Sequence, residues 1–182
     1  MHESTRDSSP RPREAWLAGG GEMGRLLREK DWSQTPLGPV ERWPQSLKTT
    51  LGILLNSRYP MFVFWGPGLV KIYNDAYRPI TGQKHPWALG ASARDVWPEI
   101  WSDIEPLVER ALAGDATWSD NLMLVMERNG FPEEVYFTFS YSPVAAEYTC
   151  RGRADVRGGG RDGRGGAEVA EGPQPALPQD LR

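Results

Sequence analysis

The stretch from Tyr59 to Gly82, YPMFVFWGPGLVKIYNDAYRPITG, limits what this chain can fold into more than any other. Met61 to Trp65 is apolar, β-branched and aromatic, the composition of a strand with at least one buried face. Gly66-Pro67-Gly68 places three turn-formers in a row, and Leu69 to Tyr73 is a second strand-like run. Two such runs joined by a short Gly-containing loop predict a β-hairpin. Asn74-Asp75 then offers a side-chain cap, and Ala76 to Ile80 is long enough for about one helical turn. The unit is strand, tight turn, strand, capped short helix.

The flanks build on this unit. Met23, Leu26 and Leu27 fall on one side of a short helix predicted over Glu22 to Lys30. A Pro-punctuated loop follows, with Trp32 packing back onto the domain. Pro44 suits a helix start, and Leu47, Leu51, Leu54 and Leu55 form one apolar stripe that ends near Asn56. Beyond the hairpin, Ile100, Ile104, Leu107, Val108, Ala111 and Leu112 recur at helical spacing over Glu99 to Ala113, with Pro106 inside. Trp118 to Glu127 and Glu134 to Tyr141 alternate as strands, joined across Arg128-Asn129-Gly130, and Pro143 is expected to end the second.

The segments WGPGLVKIYNDAY and GQKHPWALG resemble the opening of a PAS sensor domain, of the type found at the N-terminus of bacterial sensor histidine kinases. The likeness continues in DWSQTPLGPVERWPQSL and MERNGFPEEVYFTFSYSPV, and spans Glu22 to Val144. It implies an α/β (α+β) fold: an antiparallel sheet of two hairpins, flanking short helices, and a helical extension in front. It also implies a cavity bordered by the long helix, and a signalling role. The expected divisions are a disordered lead-in at 1–21, the extension at 22–58, the PAS-like domain at 59–144 and a disordered tail at 145–182.

One part departs from the family pattern. A PAS sheet has five strands, the fifth lying between the first and the fourth. After Val144 the chain is rich in Gly, Arg, Ala and Pro and has no apolar run of strand length. The expectation is therefore that the central fifth strand is absent, as after a shift of reading frame in GC-rich DNA. Two hairpins with unpaired edges would remain.

Composition narrows the function. A net charge of −3 argues against a nucleic-acid domain driven by basic surface. No run approaches the ~20 apolar residues of a membrane span, and there is no apolar signal segment. A single cysteine, Cys150, cannot form an intrachain disulfide and fits a reducing, cytoplasmic setting. No phosphate-binding loop, dinucleotide fingerprint or zinc-protease motif occurs, so the chain is not expected to be an enzyme. The kinase parts of the resembled family are missing.

The site candidates are aromatic. Trp65, Tyr73, Trp97, Trp101, Phe137 and Phe139 are candidate cavity linings, although aromatic residues at such spacings are usually plain core. Any ligand would be small and largely apolar, held by a few polar groups. Asn74, Asp75 and Tyr77 are structural or switch candidates, with capping the plainer role. His85 is read as a loop histidine rather than a metal ligand, because no second His or Cys accompanies it. The resembled family's flavin photoreceptors need a cysteine between the short helices, where this chain has none. The sequence leaves the cofactor unknown. RGRADVRGGGRDGRGG over Arg151–Gly166 superficially resembles an RNA-binding tail, diluted by Asp155 and Asp162. The favoured reading is a sensory module that acts through a protein partner or homodimer. The alternative is an interaction module without ligand.

Overall fold

The computed structural model describes residues 17–144 and the backbone of 155–162. The helices are α1 (Gly21–Glu29), α2 (Gln45–Asn56), α3 (Arg78–Thr81), α4 (Ala93–Val96) and α5 (Trp101–Leu112). The strands are β1 (Met61–Trp65), β2 (Val70–Tyr73), β3 (Thr117–Met126), β4 (Glu133–Val144) and β5 (Asp155–Asp162). They form one antiparallel sheet in the order β2-β1-β5-β4-β3.

The two halves of the sheet differ in what covers them. Every residue of β2, and all of β1 except Met61, is buried. Strand pairing puts Phe62, Phe64, Lys71 and Tyr73 on one face and Val63, Trp65, Val70 and Ile72 on the other. The extension covers that second face, and Leu47, Leu51 and Leu54 of α2 are fully buried. Each such leucine contributes about 1.5–3 kcal/mol relative to exposure. By contrast, β3 and β4 alternate between buried and exposed, with one face on the core and one in solvent.

A bulge in β3 corrects the register. Ser119 pairs with Phe139 and Leu122 with Phe137, so Asp120 and Asn121 together oppose Thr138. Asn121 takes a positive φ of 49°, and the Thr138 hydroxyl accepts from its N–H at 3.0 Å. Without the extra residue, Trp118 and Met123 would lie on opposite faces. With it, both point outward.

The expected absence of a fifth strand is corrected. Asp155–Asp162 pairs with β1 on one side and β4 on the other. The segment has one apolar residue, Val156, so no side-chain pattern marks it. Strand pairing, however, needs only main-chain N–H and C=O groups, and the facing edges of β1 and β4 supply complementary rows. For the same reason the expectation that Pro143 ends β4 gives way: Pro143 pairs with Val156. β3 pairs no farther than Tyr141, so Pro143 has an open side where a missing N–H costs nothing. Residues 1–16 of the expected lead-in, and 145–154 and 163–182 of the tail, including Cys150, lie outside the described residues.

Ending the chain at Val144 is expected to leave the β1 and β4 edges bare. In urea, followed by tryptophan fluorescence, the shortened chain should lose its cooperative transition or aggregate. A midpoint and slope equal to those of the full chain would show that β5 contributes nothing.

Candidate functional site

Between the sheet and helices α3–α5 lies a cavity of about 40 Å3. Its walls are mostly rings: Phe62 and Phe64 from β1, Phe137, Phe139 and Tyr141 from β4, Tyr77 before α3, and Trp97 before α5. Ile80, Ile100, Ile104, Leu124 and Met126 complete them. The rings meet edge to face or tilted, with Phe62 5.1 Å from Tyr77 and 5.7 Å from Tyr141, and Phe139 4.9 Å from Tyr141. In this measure a water needs roughly 10–15 Å3, so the space suits a molecule of a few heavy atoms. A fused-ring cofactor such as a flavin does not fit it.

The cavity's position beneath a sheet whose fifth strand lies between the first and the fourth decides the architecture. The fold is PAS-like. No protein-family model matches the chain, and no curated protein does. Among solved structures, an RNA-binding light-oxygen-voltage receptor is 20% identical with a TM-score of 0.45, over 71% of this chain and 35% of that one. This chain therefore spans about a third of that receptor's length. A fungal LOV domain photoreceptor is 19% identical with a TM-score of 0.44, covering 84% of this chain and 99% of that one. The light-state dimer of the fungal blue-light photoreceptor Vivid is 13% identical with a TM-score of 0.38, over 87% and 98%.

Of the six aromatic candidates, Trp97, Phe137 and Phe139 line this cavity. Trp65 and Trp101 do not, and the reason is strand parity and helix phase. Trp65 lies on the sheet face opposite Phe64. Trp101 lines a separate groove against the β1–β2 turn, with the Arg94 guanidinium 4.7 Å from its ring. Tyr73 shares the cavity's side of the sheet but points to His85, its hydroxyl 2.9 Å from Nδ1. Burial pushes the Tyr73 phenol up to about 12. On the other side of the ring, His85 Nε2 faces Glu22 Oε1 at 3.3 Å. His85 accordingly ties the extension to β2. Among the described residues, no group of three His, Cys, Asp or Glu could hold a metal ion.

Asn74 and Asp75 divide the capping work in a way the sequence did not show. Asn74 Oδ1 accepts from Tyr77 N–H and Met61 N–H at 3.1 and 3.0 Å. Its amide donates to the carbonyls of Leu54, Ser57 and Tyr59 at 3.1, 3.0 and 2.8 Å. One buried side chain thereby joins α2, β1 and the turn before α3. Asp75 caps not its own helix but α1, accepting from Glu22 and Met23 N–H at 3.1 and 2.9 Å. Gly21 permits the approach: its φ is +53°, and a Cβ there would come within 1.9 Å of the Asp75 carboxylate.

The residue that sequence reasoning missed is Lys71. Its side chain is completely buried. Nζ lies 4.3 Å from the Trp97 ring centroid, 4.5 Å from Tyr77, 5.4 Å from Phe62, 5.8 Å from Tyr73 and 5.9 Å from Phe64. It donates to the Tyr77 hydroxyl at 3.3 Å, its one hydrogen-bond partner among the described residues. The nearby carboxylate, Glu99, is already engaged by Lys84 at 2.6 Å and by Glu127 N–H at 3.0 Å. Desolvation holds the Lys71 ammonium well below the usual lysine range, and the positive charge of Lys84 adds to this. The rings favour the cation by about 2 kcal/mol, less than the several kcal/mol that desolvating an ion costs. The available signal was a charged residue inside LVKIY, a run otherwise apolar on both faces.

Proposed function

We propose that the chain is a PAS-type sensory module whose aromatic cavity takes a small, largely apolar ligand. The observation that carries this is the cavity itself: about 40 Å3 and ring-lined, with a buried amine behind the rings of its wall. A closely packed core has few voids larger than a water, and this one lies where sheet and helices meet. Occupancy would bias the packing of α3–α5 against the sheet, and an output partner would read that bias. The likeness of WGPGLVKIYNDAY and GQKHPWALG to sensor-kinase PAS segments favours a role in cytoplasmic two-component signalling, beside a histidine kinase. Among the described residues no helix is long and apolar enough to cross a membrane.

The test is thermal unfolding of the full chain with a panel of two- to four-carbon compounds. A ligand at about 100 times its Kd adds roughly 2.7 kcal/mol and should raise Tm by several degrees. The shift should vanish in Leu124→Phe, which fills the space. A panel without any shift in the parent chain would sink the sensing reading.

A second reading, an interaction or dimerisation module, is favoured by the outer face of β3 and β4. Trp118 is 68% exposed there, beside Met123, Val125 and Tyr136 at 45, 42 and 41%. An apolar group of this kind marks a contact surface. Sedimentation velocity should then show a dimer that Trp118→Ser dissociates; a monomer at all concentrations would exclude self-association.

A further inference from the structure

We propose that Lys71 captures small aldehydes as a reversible imine, which makes the PAS-like cavity a site for carbonyl compounds. The inference deepens the sensing reading and rests on the cavity being a ligand site. Three features carry it. The amine is buried behind four rings that line the cavity, those of Phe62, Phe64, Tyr77 and Trp97; Lys71 is not itself in the lining, so an aldehyde in the cavity reaches Nζ only as these rings move. No carboxylate among the described residues holds it as an ammonium, since Glu99 is occupied by Lys84. A hydroxyl suited to proton transfer, that of Tyr77, stands 3.3 Å from the nitrogen. A desolvated lysine in an apolar pocket is the form in which the amine acts as a nucleophile. Burial also keeps the Tyr77 phenol protonated, so that it can act as an acid.

The chemistry balances without a further reagent. The Nζ lone pair attacks the carbonyl carbon, and the new C–N bond gives a carbinolamine after one proton moves from nitrogen to oxygen. The Tyr77 hydroxyl then protonates that oxygen, which leaves as water while the C=N bond forms. The remaining nitrogen proton returns to the phenolate. One amine and one aldehyde give one imine and one water, with no change of oxidation state. The cavity limits the aldehyde to a few carbons, and its ring lining favours an apolar tail.

The chain has four lysines, Lys30, Lys48, Lys71 and Lys84, so the site of capture can be read directly. The full chain is treated with propanal and cyanoborohydride at pH 7.5, and N-propyl lysines are mapped by mass spectrometry. An ordinary lysine is neutral in roughly one molecule in a thousand at that pH, and Lys71 is expected to label at least about tenfold faster than the other three. The preference should disappear in guanidinium. Tyr77→Phe, checked for folding by tryptophan fluorescence, should slow labelling of Lys71 alone. In parallel, 1-propanol, which has the size but no carbonyl, is tested for a Tm shift. If propanol raises Tm while Lys71 labels no faster than the rest, the imine is overturned and the cavity reading stands. If neither effect occurs, both are overturned.

Discussion

Lys71→Met is expected to stabilise the folded chain at pH 7 by roughly 1–4 kcal/mol, the range seen when buried charges are replaced by well-packed apolar side chains. The sign follows from proton binding. In the unfolded chain the amine binds a proton up to about pH 10.4. In the folded chain its affinity is lowered by burial. Between the lowered folded value and about 10.4 the unfolded state holds more protons, so stability of the parent rises with pH by up to roughly 1.4 kcal/mol per unit. The methionine variant lacks that slope. The advantage of Lys71→Met should therefore shrink steadily from neutral pH towards pH 10. The Tyr73, Tyr77 and Tyr141 phenols are all raised by burial and lose stability above pH 10, but they do so in both chains and cancel in the difference. Urea midpoints from pH 7 to 10 measure this; a variant less stable at pH 7, with a gap that does not change with pH, would refute it.

Asn74→Ala is expected to cost about 3–5 kcal/mol. It removes five hydrogen bonds; the Leu54 and Tyr59 carbonyls and the Tyr77 N–H keep a second partner, so the loss falls chiefly on the Ser57 carbonyl and the Met61 N–H, at about 1–3 kcal/mol for each that stays buried without a partner. Asn74→Asp should be no better. It retains the acceptor for Met61 and Tyr77 but loses the donor to Leu54, Ser57 and Tyr59. A loss below about 1 kcal/mol in urea for the alanine variant would mean that water replaces the amide at little cost.

What could be read from sequence followed from whether side chains or backbone carried the information. The α2 stripe was visible because Leu47, Leu51 and Leu54 repeat at the helical period, and all three are core. The alternation of Val135, Phe137 and Phe139 identified β4 and its inward face. The fifth strand was invisible because Asp155–Asp162 is recruited by the main-chain edges of its neighbours, not by its own side chains. The bulge at Asp120 and Asn121 was likewise hidden, since a regular period-two reading of β3 has no place for an extra residue. Of the cavity, the ring donors on β4 and Trp97 were legible. Trp65 was misassigned because a strand buried on both faces carries aromatic residues on each, and only pairing tells them apart. Lys71 escaped notice because aromatic and apolar periodicity was the signal followed, whereas its significance lies in five rings brought from separate segments.

The carboxylate of Asp75, seated on the first turn of α1 across more than fifty residues of chain, has a bearing on modular engineering. A chimera that joins a foreign domain to this fold by cutting between residues 58 and 59 would break that seat and remove the carbonyls of Leu54 and Ser57 from Asn74. The transplantable unit begins no later than Gly21. A heterologous leader fused directly ahead of it would pull on α1, and through Asp75 on the segment that carries Tyr77 into the cavity wall. The junction at the front of the module is thus mechanically linked to the cavity wall, and the choice of linker there would alter the cavity as well as tether the partner.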